Sequence, residues 1–208
     1  MQIIFDCPVV PKEYHLQGKD YPFPEQPSCL NPHCMLPKSP VKHGFYIRGF
    51  IHSDFSGVIL IRRYLCKKCG MTFSYLPSFC LPYYQYSLWM ICFFLKLYFI
   101  LNHTLKDCLD LIGPEDFPYL SRQHLHFYYQ RFLNNLDWIK PGLRLVVSTS
   151  VVLPDNRCGP KKKEAAKVLE IAKSGSGGIH AFSQRFFAQY RHSFMTPYKN
   201  YFSISRAG

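Results

Sequence analysis

The period of the apolar positions changes along this chain. From His43 to Phe50 and from Val58 to Leu65, aromatic and β-branched residues dominate two short runs, and Ser53-Asp-Phe-Ser-Gly57 lies between them, which predicts two strands and their turn. Met71 to Tyr75 continues as a third short strand. Ahead of them, Met1 to Pro27 carries Pro8, Pro11, Pro22, Pro24 and Pro27 among aromatic residues. A residue before proline is driven out of the helical region, so this segment is expected to be an extended lead-in rather than a helix.

Beyond Tyr86 the spacing becomes helical. Ser87 is a good N-cap for Leu88 to Leu101, a segment apolar nearly all round that predicts the buried centre of a helical domain. Its roughly fourteen residues fall short of the roughly twenty that span a bilayer, and Lys96 interrupts it, so a membrane partner is not expected. Asn102 or Thr104 can cap a second helix, Leu105 to Ile112, closed by Gly113 and Pro114. After a loop from Glu115 to Leu120, Ser121 caps a third helix, about Arg122 to Trp138, expected to stop before Pro141. Leu125, Tyr129, Phe132 and Leu136 give that helix a core stripe. Leu143 to Leu153 fits either a strand or a buried helix. Asn156 to Pro160 is a break, Lys161 to Lys173 a helix with Val168, Leu169 and Ala172 inward, Ser174 to Gly178 a flexible linker, and Ile179 to Met195 a basic amphipathic helix.

Cysteine spacing adds chemistry to this outline. Cys66 and Cys69 form a C-x-x-C on a turn closed by Gly70, so both thiolates can face one metal ion, and Cys29 with Cys34 supplies a second pair of compatible spacing. The four suit one structural Zn2+ ion in a small antiparallel zinc ribbon, with His33 or His43 able to replace one cysteine. A redox reading of C-x-x-C expects a βαβ context, whereas here the chain continues as a strand. The nine cysteines are an odd number and no secretory signal opens the chain, which argues against a disulfide framework and for a cytoplasmic protein. Cys7, Cys80, Cys92, Cys108 and Cys158 lack paired spacing and read as packing residues.

The string from Arg62 through Cys66-Lys-Lys-Cys-Gly-Met-Thr-Phe73 to Ser87, preceded by Cys29, Asn31-Pro-His-Cys34 and His43-Gly-Phe-Tyr46, resembles a bacterial zinc-ribbon family associated with mobile elements. It is also similar in outline to the amino-terminal ribbon of insertion-sequence transposases, where an R-Y-x-C-x-x-C-x-x-T-F pattern precedes a helix-turn-helix. The resemblance covers roughly residues 25 to 137 and is most specific over 62 to 87. It implies DNA binding in a transposon setting.

Charge points the same way. Across 208 residues the formal net charge is +12, an excess that favours a polyanionic partner, with nucleic acid first. Arg48, Arg62, Arg63, Lys67 and Lys68, together with Lys38, Lys42 and His43, are candidate phosphate contacts around the ribbon, or else a solvated outer face. On the third helix Arg122, Gln123, His126, Gln130 and Arg131 lie off the core stripe, and Arg and Gln near a helix start suit major-groove reading. The Gly113 to Leu120 connection is long for a helix-turn-helix and leaves an ordinary helical hairpin open. From Arg157 onward only Glu164 and Glu170 offset a run of Lys and Arg, which suits a second DNA contact, a docking helix or a solvated surface.

Catalysis is not expected. Asp107, Asp110, Glu115, Asp116 and Asp137 crowd into one helical region, with no strand-rich domain to spread them around two metal ions, and Gly175-Ser-Gly-Gly178 lacks the Lys-Ser/Thr of a phosphate loop. The expected fold is therefore α+β: a small ribbon over 1–80, an all-α, helix-turn-helix-like domain over 81–155 and a basic helical region over 156–208. The expected function is non-catalytic binding of double-stranded DNA for a mobile element, with a transposase or another protein of that element as second partner and no small-molecule substrate. The alternative is a structural adaptor that docks on a larger protein or membrane through its apolar and basic helices.

Overall fold

The β-branched runs close into a long hairpin. In the computed structural model, which describes residues 1–34, 39–113, 117, 119–146, 161–175 and 177–197, β2 (Val41–His52) and β3 (Phe55–Leu65) pair antiparallel from Val41↔Leu65 to His52↔Phe55. The register shifts between Lys42 and Phe45, where Gly44 at φ +92° supplies the left-handed backbone that such a bulge uses. β4 (Thr72–Pro77) returns antiparallel along β3, and β1 (Gln2–Phe5) adds parallel to β4, giving the order β1-β4-β3-β2. The chain is mixed α+β, with this four-stranded sheet and seven α-helices among the described residues. It divides into two units, at Ser87/Leu88.

The proline-rich lead-in is not extended throughout. Gln2–Phe5 is a sheet strand, and α1 (Pro11–Gln17) is a helix. Pro11 sits at its first turn, where a missing N–H costs nothing and the fixed φ suits a helix, so proline opens this segment instead of breaking it. Gly18 at φ +52° ends it. Its buried Tyr14 donates to Leu60 O at 2.7 Å and meets Tyr21 and Phe79 with ring centroids 4.7 and 5.5 Å away. At the far end of the hairpin, Ile51 N donates to Gln85 O and Ser87 N to Ile51 O, both at 2.9 Å, which covers part of the edge strand β2.

The second unit is helical: α2 (Leu88–Phe99), α3 (Leu105–Ile112), α4 (Arg122–Asn134), α5 (Leu136–Val146), α6 (Lys161–Ser174) and α7 (Gly178–Tyr190). Eight of the twelve residues of α2 are buried, from Leu88 to Phe99. No helix of the described residues is long and apolar enough to cross a membrane. Thr104 and Ser121 each close a capping box, with Asp107 and His124, and a cap of this kind contributes about 1 kcal/mol. The core stripe of α4 is buried as its spacing requires: Leu125, Tyr129 and Phe132, with Tyr128 beside them. The regions 81–155 and 156–208 are not separate here, since α6 packs on α2, α4 and α5, and α7 on α5 and α6.

Pro141 does not end a helix. The break comes earlier, at Asn135, and Pro141 lies inside α5. Asn135 is buried, and its amide donates to Phe194 O and Thr196 O, both at 2.7 Å, so a tertiary clamp sets the boundary that sequence assigned to proline. α7 ends at Tyr190 rather than Met195, because Arg191 turns left-handed at φ +57°, although Phe194 and Met195 remain buried. Of the segment 143–153, residues 143–146 are helical. Residues 147–153, the 156–160 break with Cys158, Lys38, Glu115, Asp116, Pro118 and Ser176 of the linker lie outside the described residues.

Gly142 on α5 stands where α7 packs closely against it. A Cβ there would stand 2.2 Å from the Cε2 atom of the fully buried Phe186 on α7. Glycine in a helix interior normally costs about 0.5–1 kcal/mol against alanine, but overpacking costs about 1–3 kcal/mol, so the clash wins. Gly142→Ala is therefore expected to lower stability by about 1–2 kcal/mol, where an uncrowded helical glycine would gain it. Urea denaturation with an unchanged or raised midpoint would contradict this packing.

Candidate metal centre

Two turns bring four thiols together. β3 ends at Leu65, and the chain reverses through Cys66 to Gly70, where φ is +70°. Gly70 N donates to Cys66 O and Cys66 N to Met71 O, both at 2.9 Å, and β4 begins at once at Thr72. The partner turn is built by Asn31: its side chain accepts from His33 N at 3.0 Å, its carbonyl accepts from Cys34 N at 3.0 Å, and its own N–H donates to Cys29 Sγ at 3.4 Å. Two tyrosines of the sheet fix the segment leading into it. Tyr64 on β3 donates to Pro24 O at 2.7 Å, and Tyr75 on β4 donates to Gln26 Oε1, while Gln26 Nε2 holds Ser28 O at 2.6 Å.

Cys29, Cys34, Cys66 and Cys69 result in one cluster, with all four Sγ atoms within 4.8 Å of one another. Cys29 lies 3.6 Å from Cys69, and Cys34 lies 3.6 Å from Cys66. A disulfide needs about 2.05 Å, so the sulfurs are not bonded. Four thiolates held about 2.3 Å from one ion at tetrahedral corners would stand about 3.8 Å apart, close to these spacings. The cysteines thus fit a four-thiolate divalent metal site. His33 and His43 are both exposed and outside the cluster.

Local backbone dipoles prepare the thiols for a cation. The Met71 N–H pulls the Cys69 thiol below its ordinary range, and the N–H groups of Cys69 and Lys68 do the same for Cys66. Burial pushes Cys29 upward against the Asn31 N–H. A bound dication would draw all four to the thiolate form, since a coordinating thiol loses its proton outright. The other described cysteines differ: Cys7, Cys80, Cys92 and Cys108 are buried, and burial pushes Cys80 and Cys92 up to about 12, which suits inert packing thiols.

The basic candidates of the first unit have unequal fates. Lys67 and Lys68 are exposed in the turn between the two thiols, as are Lys42 and His43 on β2. Arg48 is half-buried, with its guanidinium donating to the carbonyls of Leu81 and Tyr84, so it ties down the chain after β4. Arg62 stacks 4.6 Å from the Phe45 centroid and 5.5 Å from that of Tyr64, and Arg63 is half-buried opposite Ser74. In the helical unit Arg122, Gln123, His126 and Gln130 are exposed together on one side of α4, whereas Arg131 is half-buried with its guanidinium 5.0 Å from the Phe127 centroid.

One constellation escaped the sequence reading. His52 Nδ1 lies 2.9 Å from Ser87 Oγ, and its Nε2 lies 3.8 Å from Asp54 Oδ1. The residue types are those of a nucleophile, a base and an orienting acid, but Ser87 is fully buried and out of a substrate's reach. The three act as a clamp between the hairpin tip and the chain leaving the first unit. Their separation in sequence, with no motif spacing, gave no signal.

Full-length protein is expected to take up one Co2+ probe ion per chain with the charge-transfer absorption of thiolate ligation, and Cys66→Ser or Cys29→Ser to abolish that spectrum. The core of this unit extends well beyond the thiols, through Phe5, Tyr14, Phe50 and Phe79. Chelation should therefore release hydrogen-exchange protection at 28–34 and 66–71 before it does so in β2 and β3. Substoichiometric cobalt, or spectra unaffected by the serine variants, would refute the site.

Comparison with known proteins adds a matched segment rather than an activity. No curated protein and no solved structure matches the chain. Residues 28–97, which include all four cysteines, match the family model described as a domain of unknown function, DUF6431.

Proposed function

We propose that this chain is a zinc-dependent, double-stranded-DNA-binding protein of a transposon or other mobile element, acting without catalysis in the cytoplasm as an accessory factor, a regulator or a truncated transposase. The observation that carries this reading is the outer side of α4, where Arg122, Gln123, His126 and Gln130 stand exposed on a helix started by a capping box. Arg can bridge guanine and Gln adenine at base edges, and residues near the start of a helix are the ones that reach the major groove. α3 and α4 pack together as the candidate helix pair, with α4 as the reader.

The metal supports the reading from the other unit. An all-cysteine tetrahedral site suits Zn2+, which needs no d-electron geometry and undergoes no redox change, and a cysteine turn that links antiparallel β3 and β4, with a second cysteine turn brought beside it, suits a ribbon. Exposed Lys67 and Lys68 on one of those turns suit phosphate contact. Three acids of the helical unit are engaged in structure, Asp107 in a cap and Asp137 and Glu164 with Lys140 at 3.4 and 2.6 Å, while Asp110 is exposed on α3. This favours a binding role over catalysis. A transposase or another protein of the element remains the second proposed partner. The adaptor alternative needs the apolar helix as its docking face, and α2 is mostly buried within its own unit.

The test is a titration against duplexes selected by the protein from a random pool and against scrambled versions, at two salt concentrations. Arg122→Ala and Gln123→Ala should each cost about 1–3 kcal/mol on the selected duplex and little on the scrambled one, because a base contact is lost. Lys67→Ala should weaken both alike and flatten the salt dependence. Arg48→Ala should chiefly lower stability, given its bonds to Leu81 and Tyr84. Equal losses on both duplexes for the α4 variants would remove the base-reading role.

A further inference from the structure

Three helices of the second unit open onto one groove. It encloses about 540 Å3 and is lined by Tyr98, His103, Lys106, Arg122 and Lys162 among others. Lys106 comes from the first turn of α3, Arg122 from that of α4 and Lys162 from that of α6. Cations are disfavoured in a first turn by the helix dipole, and three of them sharing a cleft also repel one another. Among the described residues Asp107, next to Lys106, offsets part of this charge, but both carboxylates near these helix starts are also held elsewhere. Asp107 Oδ2 accepts the Thr104 N–H at 2.9 Å within its capping box, and Glu164 is held 2.6 Å from Lys140. The ion pairs among the described residues involve His52 and Lys140, not the groove cations.

Lys162 is also held in place. Its Nζ stands 4.1 Å from the Tyr98 centroid, and Tyr98 stacks at 4.2 Å and 8° on the buried Tyr129. A cation–π contact of this kind fixes the ammonium at the groove wall at little cost in further ordering. A second groove of about 430 Å3 shares Leu105 and Arg122 with the first and continues along α4 past Gln123, His126 and Gln130. The cationic cleft therefore runs directly into the exposed side of the helix proposed to read bases.

We propose that Lys106 and Lys162, with His103 beside them, clamp a backbone phosphate of bound duplex DNA at the amino-terminal end of α4, next to the base edges that Arg122 and Gln123 meet. This rests on the DNA-binding reading above. Phosphate contacts position a protein on the duplex while base contacts specify the sequence, so the clamp and the reading face make separable contributions. A nucleic-acid duplex suits the site better than a lone carboxylate, because a backbone phosphate can fill the cationic groove while neighbouring base edges meet the adjoining one.

The experiment measures salt-dependent binding of full-length protein to its selected duplex and to a scrambled one by fluorescence anisotropy. It uses Lys106→Gln, Lys162→Gln, their double variant, and Lys167→Gln on an exposed part of α6 as the charge-matched control. Each groove lysine should make the slope of log K against log salt shallower by about one and the double variant by about two, with the preference for the selected duplex unchanged and the control slope unaltered. Unaltered slopes in both lysine variants, while wild type still prefers its duplex, overturn the clamp and leave the DNA reading standing. Wild type that binds no duplex overturns both. In that case titration with inorganic phosphate, followed by the amide resonances of Lys106 and Lys162, tells whether the cleft is an anion site for something other than DNA.

Discussion

Convergence of two cysteine pairs from distant parts of the chain is the constraint that organises the first unit. Cys66 and Cys69 come with the sheet, because their turn is the direct link between β3 and β4. Cys29 and Cys34 have no strand of their own and must be delivered. Tyr64 and Tyr75 do this through hydroxyls aimed at Pro24 and Gln26, with their rings 5.2 Å apart at the base of the site. The scale of the energies shows why such delivery matters. Apparent binding energies of structural four-ligand sites run to about 10–16 kcal/mol, comparable with the whole stability of a small domain, whereas a single hydroxyl bond nets about 1 kcal/mol. A few positioning bonds would thus give the chain, with an ion bound, a much larger stabilisation.

Much of this was legible in the sequence, and the reasons differ from element to element. The hairpin and the cysteine set could be read because strand periodicity and paired-thiol spacing are local signals, and α3 and the start of α4 could be read because Thr104 and Ser121 carry their own caps. What stayed hidden was tertiary. β1 is four residues whose partner, β4, lies some seventy positions away, so no local pattern announces it. α1 hid behind prolines whose effect depends on position within the turn, and Pro11 happens to stand at the tolerated place. The split at Asn135 depends on carbonyls of Phe194 and Thr196, which proximity in sequence cannot suggest.

The second unit shows how an apolar segment with a membrane-like composition acquires a use inside a protein. α2 packs on α3, α4 and α6, with eight of its twelve residues buried and Trp89, Phe93 and Lys96 along its open side. An apolar helix so placed needs several partners, which accounts for the convergence of α3, α4 and α6 on it. That convergence in turn brings the starts of those three helices into one neighbourhood, and with them the basic residues of their first turns. The cationic groove is therefore a consequence of how the apolar helix is enclosed.

Net charge alone misjudges where a polyanion would be met. Of the cations counted in the sequence, Arg48 is spent on two carbonyls, Arg62 on Phe45 and Tyr64, and Lys140 on two carboxylates. The metal site draws on the same supply. Four thiolates outweigh one divalent ion, so an occupied cluster would be net anionic, and Lys67 and Lys68 lie in the turn between two of its ligands. Part of their charge would be offset by the cluster. The positive surface of the first unit is thus smaller than its lysine and arginine content suggests. In the helical groove Asp107 offsets part of the charge beside Lys106, but no ion pair among the described residues ties down Lys106, Arg122 or Lys162, and that is where the excess of the chain has most to gain from a phosphate.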